Sequence, residues 1–448
     1  MSNSNDPHPH NEAKVDEVVD PREKHRTLRK AALASFIGNF VEWFDYASYA
    51  YLASIIAVVF FPAEQDKATR LLTTFAIFAL SFILRPIGGA VWGNWGDKYG
   101  RRSALSWSIL MMTGATFCIG LIPPYAMIGI AAPILLLLLR MVQGFSASGE
   151  YAGAATFLAE YAPQSHRGLY TCLVPASTAS GLLIGSLTVT FMHQVLSLES
   201  IHSWGWRIPF LLAGPLGWVG RYIRTHLEDS PVYQQMQDKV EAKIGKHTTL
   251  GYLFRNYWKE MLIAFSVASL NAVGFYMVLT YMPTYLREEV GFDDQLTFIA
   301  ESITLTVYVL LIFSMGRLSD RFGRRTMLIS ACVAFIVLSV PLFTLLDHAT
   351  FALVITVEII FCVMLTANDG TLATFLAEVF PTEVRYTGFA LSFNLANAIF
   401  GGTALYISTW LIEKTGSVLA PAWYLVGVSA MALVGMILAR EHSHEALR

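Results

Sequence analysis

The chain has 448 residues, is 54% hydrophobic and carries a charge at only 14% of its positions, with a formal net charge of −2. That apolar excess excludes an ordinary soluble globular protein. Near-neutral charge gives no footprint for nucleic acid, because the basic clusters are accounted for by membrane topology.

Residues 1–30 are polar and mixed in charge, and predict a disordered tail rather than a signal peptide. Twelve apolar stretches follow, at 31–60, 71–95, 104–121, 132–157, 169–191, 209–223, 261–286, 296–315, 326–346, 351–376, 386–412 and 420–438. Most reach the roughly 20 residues that a helix needs to cross a bilayer core. Lipid satisfies no backbone polar group, so each stretch predicts a helix. The longest polar interruption, 228–259, divides them six and six. The expected fold is an all-α membrane protein with twelve transmembrane helices in two six-helix bundles, 31–227 and 260–440, and a tail at 441–448. Two rigid halves around a central cavity suit alternating access.

With the N-terminus inside, 24 of the 31 Lys and Arg fall in inner segments, and Lys67, Arg70, Arg207, Arg287 and Lys414 fall outside. The asymmetry predicts both termini in the cytoplasm. The remaining two, Arg85 and Arg140, lie within spans.

An ionisable side chain at the bilayer centre costs about 2.5–3.5 kcal/mol and marks function by default. On the first stretch Asn39, Glu42, Asp45 and Tyr46 share a helix face, with Tyr49 alongside. The second carries Arg85; the fourth carries Arg140, Gln143 and Glu150, with Tyr151 beside it. Three acids against two arginines leave a surplus carboxylate, as a proton carrier requires. Burial favours its neutral form and a neighbouring arginine its ionised form. The other possibility, that these groups merely pair, is a poor source of stability.

In the second half Glu301 falls on the eighth stretch, and Glu358, Asn368 and Asp369 on the tenth. Asn271, Tyr276, Asn394 and Asn397 add hydrogen-bonding groups at membrane depth. Arginines in one half and acids in the other suggest a substrate with an anionic end and a cationic end. Phe275, Tyr276 and Tyr281 could hold the cationic end.

Two motifs recur at long range. Ala-Thr-Phe-Leu-Ala-Glu occupies 155–160 and 373–378, an offset of 218, and each copy continues to a Pro and an Arg. The run Gly93-Asn-Trp-Gly-Asp97-Lys-Tyr-Gly-Arg101-Arg102 matches Gly316-Arg-Leu-Ser-Asp320-Arg-Phe-Gly-Arg324-Arg325. One structural unit has therefore been used twice. Each run spans a short inner turn, where the aspartate can accept from nearby arginines. Glu160 with Arg167, and Glu378 with Arg385, are the expected partners, and the whole set reads as a cytoplasmic gate. The spacings Gly89–Gly93, Gly149–Gly153 and Gly181–Gly185 predict close helix packing. The four cysteines lack ligand spacing, and no nucleophile set, phosphate loop or cofactor motif is present, so no metal, cofactor or enzymatic activity is expected.

The duplicated turns resemble the signature of the major facilitator superfamily. Gly38-Asn39 with Glu42-Trp-Phe-Asp45, Arg85-Pro-Ile-Gly-Gly89, Gln143-Gly-Phe-Ser with Gly149-Glu-Tyr151, and Trp204-Gly-Trp-Arg-Ile-Pro-Phe210 resemble its metabolite:proton symporter family. Within that family, Thr280-Tyr-Met-Pro-Thr-Tyr-Leu286 is most similar to the proline/glycine betaine symporters. Ala396-Asn-Ala-Ile-Phe-Gly-Gly402 is more similar to the oxoglutarate and citrate members. The resemblance implies proton-coupled uptake of a small zwitterion across a bacterial inner membrane, with a di- or tricarboxylate as the alternative substrate and a transport-like sensor as the alternative class. It places Glu42, Asp45, Arg85, Arg140 and Glu150 on the family's polar motifs. The osmosensory members carry a long C-terminal coiled-coil extension, and with only a short segment after the last stretch here the resemblance does not extend to osmotic activation of that type.

Overall fold

The computed structural model describes residues 21–65, 67–225, 249–348, 350–443 and 445–447. Much of the expected N-terminal tail and central loop, at 1–20 and 226–248, lies outside the described residues. Where the loop is described, Thr249–Asn256 is already helical. The first helix begins at Pro21, ahead of the expected start. It extends because its apolar face keeps contacts: Leu28 is buried, and Ala31 and Ala34 pack against Leu105 and Phe157.

Among the described residues, nine helices are long and apolar enough to cross a membrane. A tenth crossing is the first span, whose helix ending at Tyr51 bends by 70° into Ala53–Phe60. Lys67–Ile83 with Arg85–Tyr99, and Arg207–Thr225, complete twelve spans. Charged residues, glycine and proline dilute the hydropathy of these last two. We refer to the spans as first to twelfth in chain order.

Several spans are interrupted, and the causes are local. The second breaks at Leu84 because Pro86 has no N–H for the helix ladder. The seventh runs from Trp258–Tyr276 through a π turn, Met277–Tyr281, into Met282–Glu288, where Pro283 again removes a donor. The eleventh combines Arg385–Ala396, a π turn at Asn397–Gly401 and Ala404–Thr415, at a glycine pair. The fourth breaks between Ala131–Ala147 and Glu150–Tyr161.

The first span packs on the fifth and sixth, and the third on the fourth and sixth. In the other bundle the eighth packs on the tenth, and the twelfth on the seventh and ninth. The bundles meet through the second and eleventh spans and through the fifth and eighth. Small residues govern that approach: a Cβ on Gly93 would lie 2.5 Å from Thr387 Cα. The two arginine-rich turns pivot on Gly100 and Gly323, with φ of +96° and +89°, a conformation that favours glycine. We call the end bearing these turns the basic end.

Candidate functional site

A small cavity of about 30 Å³ sits where the bundles face each other, with room for roughly one or two waters. Its first-bundle wall includes Glu42, Trp43, Arg85, Tyr151 and Thr178. Opposite stand Asn271, Phe275, Tyr308, Asp369, Phe393 and Asn397. The rings of Trp43 and Phe275 meet across the interface with centroids 5.1 Å apart. Tyr151 stacks on Phe393 at 4.4 Å.

The two walls differ in charge. Arg85, placed at the proline-induced helix start, donates to Glu42 Oε1 at 3.0 Å and to the Tyr46 hydroxyl at 2.6 Å. Its guanidinium also lies 4.6 Å from the Phe82 ring centroid. On the far wall, Asn271 Nδ2 and the Tyr308 hydroxyl each donate to Asp369 at 2.5 Å. Asp369 is 1% exposed and forms no ion pair among the described residues. Among the described lining residues Arg85 is the one cation, facing a carboxylate across an aromatic slot.

The other expected polar residues divide by position. Arg140 and Asp45 pair at 2.8 Å behind the cavity wall, with Gln143 donating to the same carboxylate and Tyr49 beneath the guanidinium. Arg140 therefore does not line the cavity. Glu150 is buried in the first bundle, its Oε2 3.5 Å from Ser108 Oγ. Asn39 ties the first span to Val174, Ser177 and Thr178 of the fifth. Asn394 donates to Ser148 O across the bundle interface. Asn397 reaches the cavity while donating to Phe393 O. Tyr276 packs edge-on against Phe82 close to Arg85 and Glu42, and Tyr281 packs against Tyr285. Asn368 is fully buried elsewhere on the tenth span, and Glu358 accepts from Thr304 outside the cavity. Trp43, Thr178, Tyr308 and Phe393 were not among the expected residues. Tyr308 carried a signal: Glu301, Thr304 and Tyr308 follow one helix face.

At the basic end the partners differ from expectation, because they are exchanged between bundles. Arg385 binds Glu160 at 2.8 Å and Arg167 binds Glu378 at 2.6 Å, rather than each acid pairing with its sequence neighbour. Asp97 accepts from the backbone of Tyr386 and Thr387, at the start of the eleventh span. Asp320 accepts from the backbone of Gly168 and Leu169, at the start of the fifth. Each aspartate thus caps a helix N-terminus of the opposite bundle, where the helix dipole favours negative charge. Arg101 and Arg324 pair with these aspartates at 2.8 and 2.9 Å. Arg102 and Arg325 do something else. They donate to terminal carbonyls of the sixth span (Thr225) and the twelfth (Met436 and Ile437), within their own bundles. These bonds hold each bundle's own helices together.

Comparison with known proteins bears on this arrangement. The sequence profile described as Major Facilitator Superfamily matches residues 35–405. The chain is 36% identical over 430 residues to a proline/betaine transporter of Salmonella typhimurium, covering 94% of this chain and 85% of the relative. It has the same identity and coverage with a glycine betaine/proline/ectoine/pipecolic acid transporter of Dickeya dadantii. A putative proline/betaine transporter of Staphylococcus haemolyticus is 37% identical over 91% of this chain and 87% of its own. Among solved structures, the proton:xylose symporter XylE bound to 6-bromo-6-deoxy-D-glucose superposes with a TM-score of 0.79 at 15% identity. That match covers 95% of this chain and 98% of XylE, and shows the shared fold.

Proposed function

The chain belongs to the major facilitator superfamily, and on that footing we propose that it is a proton-coupled symporter for a small zwitterion such as glycine betaine or proline. The observation that carries this reading is the pair of opposed charges at one cavity, Arg85 and Asp369. A solute carboxylate engages Arg85, and the cationic end sits before Asp369 between Trp43, Phe275 and Phe393. Aromatic faces attract a quaternary ammonium, which has no hydrogen to donate. A di- or tricarboxylate suits the cavity less well, since Arg140 is turned away to Asp45 and an acid stands opposite Arg85.

Coupling follows from competition for Arg85. Glu42 holds that guanidinium at 3.0 Å. When the solute's carboxylate takes Arg85, Glu42 loses its counter-charge in a buried site. A lone buried carboxylate favours its protonated form, so Glu42 is protonated in the loaded carrier and a proton travels with the solute. The cavity is too small for betaine in this state, so loading requires the bundles to part. With the basic end closed by the exchanged ion pairs, parting at the other end admits the solute. The Lys and Arg bias supports placing the basic end, with both termini, in the cytoplasm of a bacterial cell.

The test is initial uptake of radiolabelled glycine betaine in proteoliposomes under an imposed inward proton gradient, with proline, citrate and oxoglutarate as competitors. Gradient-driven accumulation inhibited by proline supports the reading. Absence of betaine uptake, with citrate or oxoglutarate accumulating instead, would overturn the substrate class.

A further inference from the structure

Outside the cavity, the acids of the second bundle form a line rather than a cluster. Glu301, Thr304 and Tyr308 lie on one face of the eighth span, and Glu358, Cys362 and Asp369 on one face of the tenth. These spans pack together, so the two faces form one polar seam. At its far end from the basic turns, half-buried Glu301 accepts from Tyr51 of the first span at 2.9 Å, with Arg287 as its electrostatic neighbour. One turn inward, the Thr304 hydroxyl donates to Glu358 Oε2 at 2.7 Å. Cys362 Sγ lies 3.7 Å from Thr304 O. Tyr308 then donates to Asp369, which opens on the cavity. Thr304, Tyr308, Glu358, Cys362 and Asp369 are each at most 2% exposed.

Apolar side chains surround this seam: Leu305, Val357, Phe361 and Leu365 are fully or almost fully buried beside it. Among the described residues no cation pairs with Glu358 or Asp369. The groups facing Glu358 are Thr304, Glu301 and Cys362, and those facing Asp369 are Asn271, Tyr308, Tyr151 and Cys362. A seam needed only for helix packing gains little from carboxylates that lack counter-ions. Their order, from the half-buried Glu301 to the cavity wall with the Thr304 and Tyr308 hydroxyls between them, suits stepwise proton transfer through intervening hydroxyls and water.

We propose that the seam between the eighth and tenth spans is the proton entry route, running from Glu301 through Glu358 to Asp369. This rests on the proton-coupled reading above and adds the path. In the empty carrier Asp369 holds the entering proton, while Glu42 stays ionised against Arg85. When the zwitterion binds, its carboxylate takes Arg85 and its cationic end needs Asp369 ionised. The proton therefore leaves the Asp369 carboxyl oxygen and passes across the cavity to Glu42. Charge balances throughout: before binding the cavity holds Glu42 carboxylate, Arg85 cation and neutral Asp369. Afterwards it holds neutral Glu42 and two ion pairs with the solute. One proton travels with each solute.

The experiment compares native protein with Glu358→Gln in liposomes containing a trapped pH dye. Betaine-triggered proton influx and gradient-driven uptake are read beside betaine counterflow at equal pH on both sides. The route predicts that Glu358→Gln loses at least tenfold of proton influx and driven uptake while counterflow stays within about threefold. Native-like proton influx in the variant would overturn the route alone. So would counterflow falling as far as driven uptake, which marks a packing role. If Glu358→Gln does not reconstitute, Glu301→Gln at the half-buried entrance is held to the same comparison. Counterflow without proton influx in the native protein would overturn the coupling reading, and the route with it.

Discussion

Asp369 and Glu42 are buried carboxylates on one cavity, yet their neighbours give them different work. Glu42 is committed to Arg85 at 3.0 Å, whereas Asp369 is held by two neutral donors, Asn271 and Tyr308. A carboxyl held by neutral donors can gain or lose a proton without breaking an ion pair; one held by arginine must first be released. Asp369→Asn keeps the hydrogen-bonding shape and removes the charge. Betaine uptake should fall roughly ten- to hundredfold, the worth of a charge-assisted contact. The check is initial rate at saturating proton gradient, and native rates in the variant would remove Asp369 from the site. Trp43 tests the other half of recognition. A desolvated cation over an aromatic face is worth about 1–2 kcal/mol, so Trp43→Ala should raise the KM for betaine about five- to thirtyfold. Proline, whose secondary ammonium can also donate hydrogen bonds to Asp369, should be affected less.

Site residues gather where helices are interrupted. Arg85 opens a helix at the Leu84 break, and Phe275 precedes the π turn at Met277–Tyr281. Asn397 opens the π turn of the eleventh span. Each break frees backbone groups and sets a side-chain direction that a continuous helix would not offer. Pro86→Ala should restore a ladder bond, raising the melting temperature while lowering transport, because Arg85 then continues a regular helix. Thermal unfolding in detergent beside uptake separates the two effects; a fall in both would show that the proline serves packing alone. This level was largely legible in the sequence. Apolar runs of bilayer length marked the spans, and Pro86 and Pro283 sat inside two of them. The cavity was legible only in part. A stripe such as Asn39, Glu42, Asp45 and Tyr46 shows what shares a helix face, but not which bundle it meets. Asn39 therefore joined the expected cavity set, although it anchors the fifth span. Trp43, one position from Glu42, lies about 100° round the helix from it, so the polar stripe alone does not point to it.

At the scale of the whole molecule, the repeat explains why the partners at the basic end could not be read locally. Glu160 lies seven residues before Arg167, as Glu378 does before Arg385, so the sequence suggests neighbours. In the fold each acid reaches across to the arginine of the other copy. Duplication makes this exchange self-consistent: a motif that fits one bundle also fits its repeat. Two equivalent sets of contacts thus join the bundles at the basic end, each an aspartate cap with a buried ion pair, and we predict that they act as latches. Breaking a buried pair by removing one partner costs about 3–5 kcal/mol, which falls on the closed state alone if the bundles part when the latch opens. Cys172 offers a native reporter. It is fully buried where the fifth span meets the eighth, and a Cβ on Gly316 would stand 2.8 Å from its sulfur. Asp320→Asn weakens the cap one turn away, and Arg385→Ala removes the equivalent bridge of the second latch. Both should raise the rate at which a maleimide applied from the basic side modifies Cys172, by roughly tenfold or more, read by peptide mass spectrometry. Arg102→Ala removes a staple within one bundle, so it should lower the melting temperature and leave Cys172 as protected as before. Equal labelling in all three variants would mean that the exchanged contacts accompany closure without holding it. The small-residue contacts, such as that of Gly93 with the eleventh span, would then have to carry the closed state.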